Sequence, residues 1–129
     1  ETIIRENNAQ DYIHLMGQHD LSEVYQNYEA YIAGSTSEGF GLTLMEAVGG
    51  GLPIIGFDVR YGNPTFIRDG ENGYLMSLPE EDKDRVEALR KGIVDLFKQD
   101  LEKCHSVSYE VAGDFLTSNV QEKWREAVC

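Results

Sequence analysis

Apolar and polar residues follow two rhythms along this chain. Short, nearly unbroken apolar runs occur at Tyr12-Ile13-His14-Leu15-Met16, Ala30-Tyr31-Ile32-Ala33 and Pro53-Ile54-Ile55-Gly56-Phe57. Each is closed by glycine or a polar residue, the pattern of strands buried in a parallel sheet. The proline of the third run is tolerated at a strand's first position. Elsewhere the apolar residues recur at helical spacing. Leu21, Val24, Tyr25 and Tyr28 predict a first helix, with Asp20 or Ser22 able to cap it. Leu42, Met45, Glu46 and Gly49 predict a short second one, stopped by Gly49-Gly50-Gly51. Val86, Leu89, Ile93, Leu96 and Phe97 form one stripe on a charged helix over residues 80–99, whose acidic start at Glu80, Glu81, Asp82 and Asp84 suits the helix dipole. Tyr109, Val111, Ala112, Phe115, Leu116, Val120, Trp124 and Val128 predict one or two further amphipathic helices packed within the domain. The dense turn signal Asp69-Gly70-Glu71-Asn72-Gly73 leads into Tyr74-Leu75-Met76. Strands separated by helices through short connections predict an α/β fold, a parallel sheet covered by helices on both faces. Such sheets bind ligands beyond the carboxyl ends of their strands.

Composition narrows the chemistry. The 129 residues are one domain's length, and 41% apolar residues supply one substantial core. Asp and Glu number 23 against 11 Lys and Arg, a formal net charge of −12. That charge repels nucleic acid and anionic membranes at long range and disfavours binding to either through charge alone; nucleic acid is not an expected partner, and a phosphate-bearing ligand must be held locally. No apolar stretch approaches bilayer-spanning length. The polar start at Glu1 reads as a piece of a longer protein. Cys104 and Cys129 lack metal-ligand spacing and are expected as reduced thiols, and Cys104-His105 reads as a surface pair with no further ligands for zinc. Asn63-Pro64-Thr65 fails as a glycosylation sequon because of its proline.

The segment that carries chemistry is Glu38-Gly39-Phe40-Gly41-Leu42-Thr43-Leu44-Met45-Glu46. If a strand ends near Ala33 and a helix begins near Leu42, Glu38 stands in the loop at the strand's carboxyl end. Glu46 then lies about one turn into the helix, on the side of its start. Gly39 and Gly41 leave amides exposed at that helix N-terminus, a local anion site in an acidic chain. A carboxylate beside it suits the two hydroxyls of a ribose, and one further out suits a sugar. From these residues alone, Glu46 can equally be there for the dipole and Glu38 as a loop-tip charge. Gly39-x-Gly41 is not a full dinucleotide fingerprint, because the third glycine position is Leu44. Paired carboxylates also fit a glycosidase. Two glutamates from one loop-helix unit beside an anion site fit a nucleotide sugar better.

The wider arrangement is Ser35-x-x-Glu38-Gly-Phe-Gly-Leu-x-Leu-x-Glu46-Ala47, then Gly51-x-Pro53-Ile-Ile, then Asp69-Gly70-x-Asn72-Gly73-Tyr74-Leu75. It closely resembles the donor-binding domain of family 4 retaining glycosyltransferases with the two-domain GT-B fold. The resemblance implies a Rossmann-like sheet, the carboxyl-terminal domain of that fold truncated at its amino-terminal end, over residues 1–129. It implies that Glu46 binds the ribose hydroxyls and that Glu38, the candidate catalytic residue, lies at the donor sugar. Backbone amides of Gly39, Phe40, Gly41 and Leu42 would hold sugar and diphosphate, with the Thr43 hydroxyl at a phosphate. His14, Leu15 and Gly17 would line the base.

Residues 35–48 and Gly56-Phe-Asp-Val-Arg-Tyr-Gly-Asn63 resemble a Gram-positive subgroup more narrowly. It contains the accessory-Sec O-GlcNAc transferases of serine-rich surface proteins and the glycosyltransferases of wall teichoic acid. This implies UDP-GlcNAc or UDP-glucose as donor substrate, retention at the anomeric carbon, no cofactor and no metal. It also implies a serine-rich protein or teichoic-acid acceptor bound by a missing domain, a glycosyltransferase-like partner subunit, and a cytoplasmic location, peripheral at the inner face of the membrane. The family's basic residues at the diphosphate have no match here, since Arg5 is the only Lys or Arg before Arg60; they are expected upstream of Glu1. A reading of another class is a noncatalytic glycosyltransferase-like partner or recognition module, against which retention of both glutamates argues. Tyr25, Tyr28 and Tyr31 read as core rather than a sugar-stacking platform. Arg60 reads as a solvated loop cation able to meet an anionic ligand, and His19 as a turn residue.

Overall fold

The structure, a computed structural model, describes residues 1–128. A parallel sheet runs in the order β1-β2-β3, with β1 at Tyr31–Ala33, β2 at Ile54–Phe57 and β3 at Gly73–Met76. Tyr31 aligns with Ile54, and Ile54 with Gly73. Parallel neighbours need crossovers, and these are α2 (Leu42–Gly49) between β1 and β2 and α3 (Gly62–Phe66) between β2 and β3. The chain begins with α1 (Thr2–Glu6) and ends with α4 (Asp82–Leu96), α5 (Leu101–Gly113) and α6 (Thr117–Val128). The first turn of α4 carries Asp82 and Asp84, where the dipole favours them.

Strand periodicity divides the interior in two. Successive side chains of β2 point to opposite faces, and both Ile54 and Ile55 are fully buried. Ile54 joins Leu44, Ala47, Val48, Phe66 and Val111 under α2, α3 and α5, while Ile55 joins Leu96, Cys104, Leu89 and Ile93 under α4 and the start of α5. Helices therefore cover both faces, as the apolar pattern predicts.

A buried polar knot ties the crossover after β2 to α5. The fully buried Asn72 donates from Nδ2 to the Phe66 carbonyl (3.0 Å) and Ser108 Oγ (3.3 Å), and its Oδ1 accepts from the Arg68 amide (2.7 Å). Ser108 Oγ in turn donates to the Leu52 carbonyl at 2.8 Å. Truncating the amide strands buried backbone groups, so Asn72→Ala is expected to cost about 2–4 kcal/mol. The check is the urea midpoint, which should fall at an unchanged denaturant slope.

Four local expectations are corrected. Residues 12–16 form no strand: the Tyr12 and Ile13 amides both bond back to the Ala9 carbonyl (3.2 and 2.9 Å), and the run is exposed. A local turn has used the donors that a ladder would need. Residues 21–28 are not an α-helix but turns ending in a short 3-10 segment, Tyr25–Asn27. Bonds from Val24 N to Leu21 O and from Asn27 N to Val24 O close over three residues, and Tyr28 is already extended at ψ 161°. The terminal stripe does not pack inward along its length. Phe115 joins the core, but α6 buries no residue and Trp124 is 66% exposed, because α2, α3 and α5 already cover that sheet face. Finally, Cys104-His105 is no surface pair. Cys104 lies with Ser108 and Val111 on the buried stripe of α5, and burial pushes its thiol above the ordinary value. His105 is half-buried and donates from Nδ1 to the Gly51 carbonyl at 2.6 Å. Cys129 lies outside the described residues.

Candidate functional site

The carboxyl ends of β1 and β2 release two loops that meet. The Glu38 amide donates to the Arg60 carbonyl (3.2 Å) and the Tyr61 amide to the Glu38 carbonyl (2.6 Å), so the backbone of Glu38 is held on both sides. Gly62 lies directly beneath. A Cβ there would stand 2.9 Å from both Glu38 Cγ and the Phe40 carbonyl, closer than packed atoms tolerate. The Glu38 side chain itself is half-buried.

The chain then turns into α2 through Gly41, whose φ of 83° and ψ of 61° lie in the left-handed region that glycine occupies freely. No side chain caps this helix start. The amides of Leu42, Thr43 and Leu44 therefore lack intrahelical acceptors, and Leu42 and Thr43 are exposed. The result is an open, electropositive helix end of the kind that binds phosphate. Phe40 anchors the loop, packing edge-on against Phe66 (5.6 Å between ring centres) and Phe115 (6.3 Å). Its sequence context suggests only an amide role; the ring contacts depend on residues far along the chain.

Glu46 stands one turn after Leu42, and both are exposed. It lines a cleft of about 510 Å³ with Asp20, Ser22, Tyr25, Gly50 and Tyr109. The Tyr25 hydroxyl donates to Glu46 Oε2 at 3.2 Å. Burial, followed by the adjacent Glu46 carboxylate, pushes the Tyr25 phenol up to about 12, so it stays a donor throughout the neutral range. Asp20 is held below its ordinary value by the Ser22 amide that it accepts. Opposite, the Tyr109 hydroxyl donates to the Gly50 carbonyl (3.3 Å), and its ring lies over Gly51, where a Cβ would approach within 2.4 Å. The glycine run that ends α2 is thus also the seat on which α5 rests.

Among the sequence-predicted residues, Glu38, Gly39, Phe40, Gly41, Leu42, Thr43 and Glu46 form one continuous loop-helix unit at the strand ends. Glu38 does not line the Glu46 cleft; it lies on the Gly41 and Gly62 side of the helix start. His14 and Leu15 line a separate shallow depression with Arg5 and Met16, and Gly17 turns the chain at φ 70°. Asp20 and Tyr25 connect the Glu46 cleft to a more apolar groove that reaches Met16 and His19. Tyr25 and Tyr109 were not legible as site residues. Tyr25 is a core residue, as its spacing predicts, and nothing in that spacing reveals a hydroxyl aimed at a carboxylate 21 positions away.

Comparison with known proteins adds the family. The model of the glycosyl transferases group 1 family matches residues 1–112. The UDP-N-acetylglucosamine–peptide N-acetylglucosaminyltransferase GtfA subunit of Limosilactobacillus reuteri subsp. suis is 53% identical over 131 residues, covering 99% of this chain and 26% of that protein. The poly(glycerol-phosphate) alpha-glucosyltransferase of Bacillus subtilis is 32% identical over 104 residues, 78% of this chain and 15% of its own length. The crystal structure of the pneumococcal O-GlcNAc transferase GtfA in complex with UDP and GlcNAc superposes with a TM-score of 0.89 at 48% identity, covering 98% of this chain and 26% of that one. The crystal structure of a GtfA/B complex gives 0.83 at 53% identity, covering 96% of this chain and 25% of the matched chain. This chain thus spans about a quarter of the length of these GtfA relatives. A parallel sheet with an open helix start at its strand ends, flanked by two glutamates and matched by the family model along most of its length, leads to one conclusion: the chain belongs to the glycosyl transferases group 1 family.

Proposed function

We propose that residues 1–129 are the nucleotide-sugar part of the carboxyl-terminal domain of a larger, two-domain, retaining GT-B glycosyltransferase of family 4. The donor is UDP-GlcNAc, and the acceptors are serine or threonine hydroxyls of a serine-rich surface protein. The observation that carries this reading is the uncapped start of α2, with Glu38 just before it and Glu46 one turn into it. The α2 amides of Leu42 and Thr43, with the Thr43 hydroxyl and the backbone of Gly39 to Gly41, hold the diphosphate and stabilise it as it departs. Glu46 accepts from the ribose hydroxyls, Glu38 faces the donor sugar, and the segment of His14, Leu15 and Gly17 borders the base. UDP-sugar is a substrate rather than a cofactor, and the chemistry requires no metal. Basic residues from outside residues 1–129 complete the charge balance at the diphosphate.

The acceptor assignment follows the identity margin, 53% to the L. reuteri GtfA subunit against 32% to the teichoic-acid glucosyltransferase. The solved GtfA/B complex supports a second, glycosyltransferase-like subunit as partner. A cytoplasmic location, peripheral at the inner face of the membrane, is proposed on the resemblance to the subgroup of the GtfA relatives.

The test uses the full-length enzyme. Calorimetric titration with UDP is expected to show Glu46→Ala weakening affinity about tenfold or more, the scale of a lost charge-assisted pair of hydrogen bonds. Assays with UDP-GlcNAc should glycosylate a serine-rich peptide and leave a polyol-phosphate polymer unmodified. UDP binding indifferent to Glu46, or the reverse acceptor preference, sinks the corresponding part of the proposal.

A further inference from the structure

We propose that Tyr25 is a positioning residue for ribose recognition: its hydroxyl fixes one oxygen of Glu46 so that the rest of the carboxylate is preset for a vicinal diol. The inference rests on the assignment of Glu46 to the ribose. Glu46 is exposed on α2, and a free glutamate in that place samples several rotamers that a ligand must freeze on binding. Tyr25 removes that freedom in advance. Its side chain is 6% exposed, and its ring meets Tyr31 edge-on with centres 6.2 Å apart. Its Cβ sits so close to Gly50 that any side chain there would collide, at 2.6 Å. With the ring fixed on two sides, the hydroxyl oxygen has a set position beside Glu46, and it donates to Oε2 at 3.2 Å. The bond uses one lone pair of one oxygen. Oε1 and the remaining lone pair of Oε2 stay available, enough to accept two hydroxyls at once. A tyrosine hydroxyl is protonated near neutrality in any case, and burial raises it further, so the clamp does not titrate there. Tyr109 borders the same cleft but donates to the Gly50 carbonyl.

The experiment compares UDP with 2′,3′-dideoxy-UDP, which lacks both hydroxyls, on full-length wild type, Tyr25→Phe and Glu46→Gln. Phenylalanine keeps the ring and its packing and removes only the donor. Tyr25→Phe is expected to weaken UDP about threefold to tenfold, the cost of immobilising one flexible side chain. It should leave dideoxy-UDP unchanged and raise KM for the sugar nucleotide with kcat within about twofold. Equal weakening of both ligands would mean that Tyr25 only supports the fold and would overturn the proposal. So would an unchanged preference for UDP in Tyr25→Phe when Glu46→Gln abolishes it. If wild type itself binds both ligands alike and Glu46→Gln changes nothing, the ribose assignment of Glu46 fails and this inference fails with it.

Discussion

Full-length enzyme carrying Glu38→Gln is expected to lose about 100- to 1,000-fold in kcat/KM, the range seen when one electrostatic contributor to a transition state is removed. Its UDP affinity should change by no more than about threefold, because the proposed role of Glu38 is at the sugar and not at the nucleotide. The geometry makes this substitution informative. The backbone of Glu38 is held by the Arg60 carbonyl and the Tyr61 amide, and its side chain lies against Gly41 and Gly62. Glutamine therefore fits the same space and leaves the loop, the helix start and the Glu46 cleft in place. The expected pattern is opposite to that of Glu46→Ala, where binding fails first. A Glu38→Gln enzyme turning over near the wild-type rate, or one that loses UDP affinity in proportion to activity, removes Glu38 from its proposed place at the donor sugar.

Gly73→Ala is expected to cost about 4 kcal/mol or more, at the upper end of what one substitution does. Gly73 opens β3 at φ 142°, and a Cβ on it would lie 1.8 Å from the Ile54 carbonyl oxygen. Ile54 is the first residue of the central strand, paired with Tyr31 on one side and Gly73 on the other. Relief of the clash requires β3 to leave β2, which opens both cores at once. Gly70→Ala supplies the control. Gly70 also has positive φ, at 77°, yet nothing stands within 4 Å of its Cβ position, so only the conformational penalty of about 1 kcal/mol applies. Gly70→Ala isolates the cost of a positive φ, to which Gly73→Ala adds the clash with the Ile54 carbonyl and a φ of 142° farther from the left-handed region. Urea denaturation giving them equal losses would show that the β2 approach does not constrain Gly73.

Much of the fold follows from periodicity. β1, β2 and the α2 and α4 helices lie where the apolar runs place them, and α4 covers Asp82–Leu96 within the expected charged stripe. The failures share one cause. The Tyr12 to Met16 run looks as strand-like as the run of β2, but its amides turn back on Ala9 while those of β2 find a ladder. An apolar run states what can be buried; a partner decides whether it is. The same limit applies to α6, whose stripe is strong and whose Trp124 is exposed. In the site, the Glu38 to Glu46 unit was legible because its parts are adjacent, and helical spacing alone sets Glu46 one turn beyond the start.

The sequence by itself determined the alternation of strands and helices, the loop-helix unit with its two glutamates, and the glycines Gly39 and Gly41 that leave the α2 amides exposed. Each of these depends on neighbours within a few positions, through side-chain periodicity or through the conformational range of glycine. Only the tertiary structure decided that Tyr25 reaches Glu46, that the Arg60-Tyr61 backbone fixes Glu38, and that Tyr109 and His105 seat α5 on the glycines ending α2. These contacts join residues 21 to 59 positions apart. Chain closure over such distances is set by how both cores pack around β2, which no local pattern encodes.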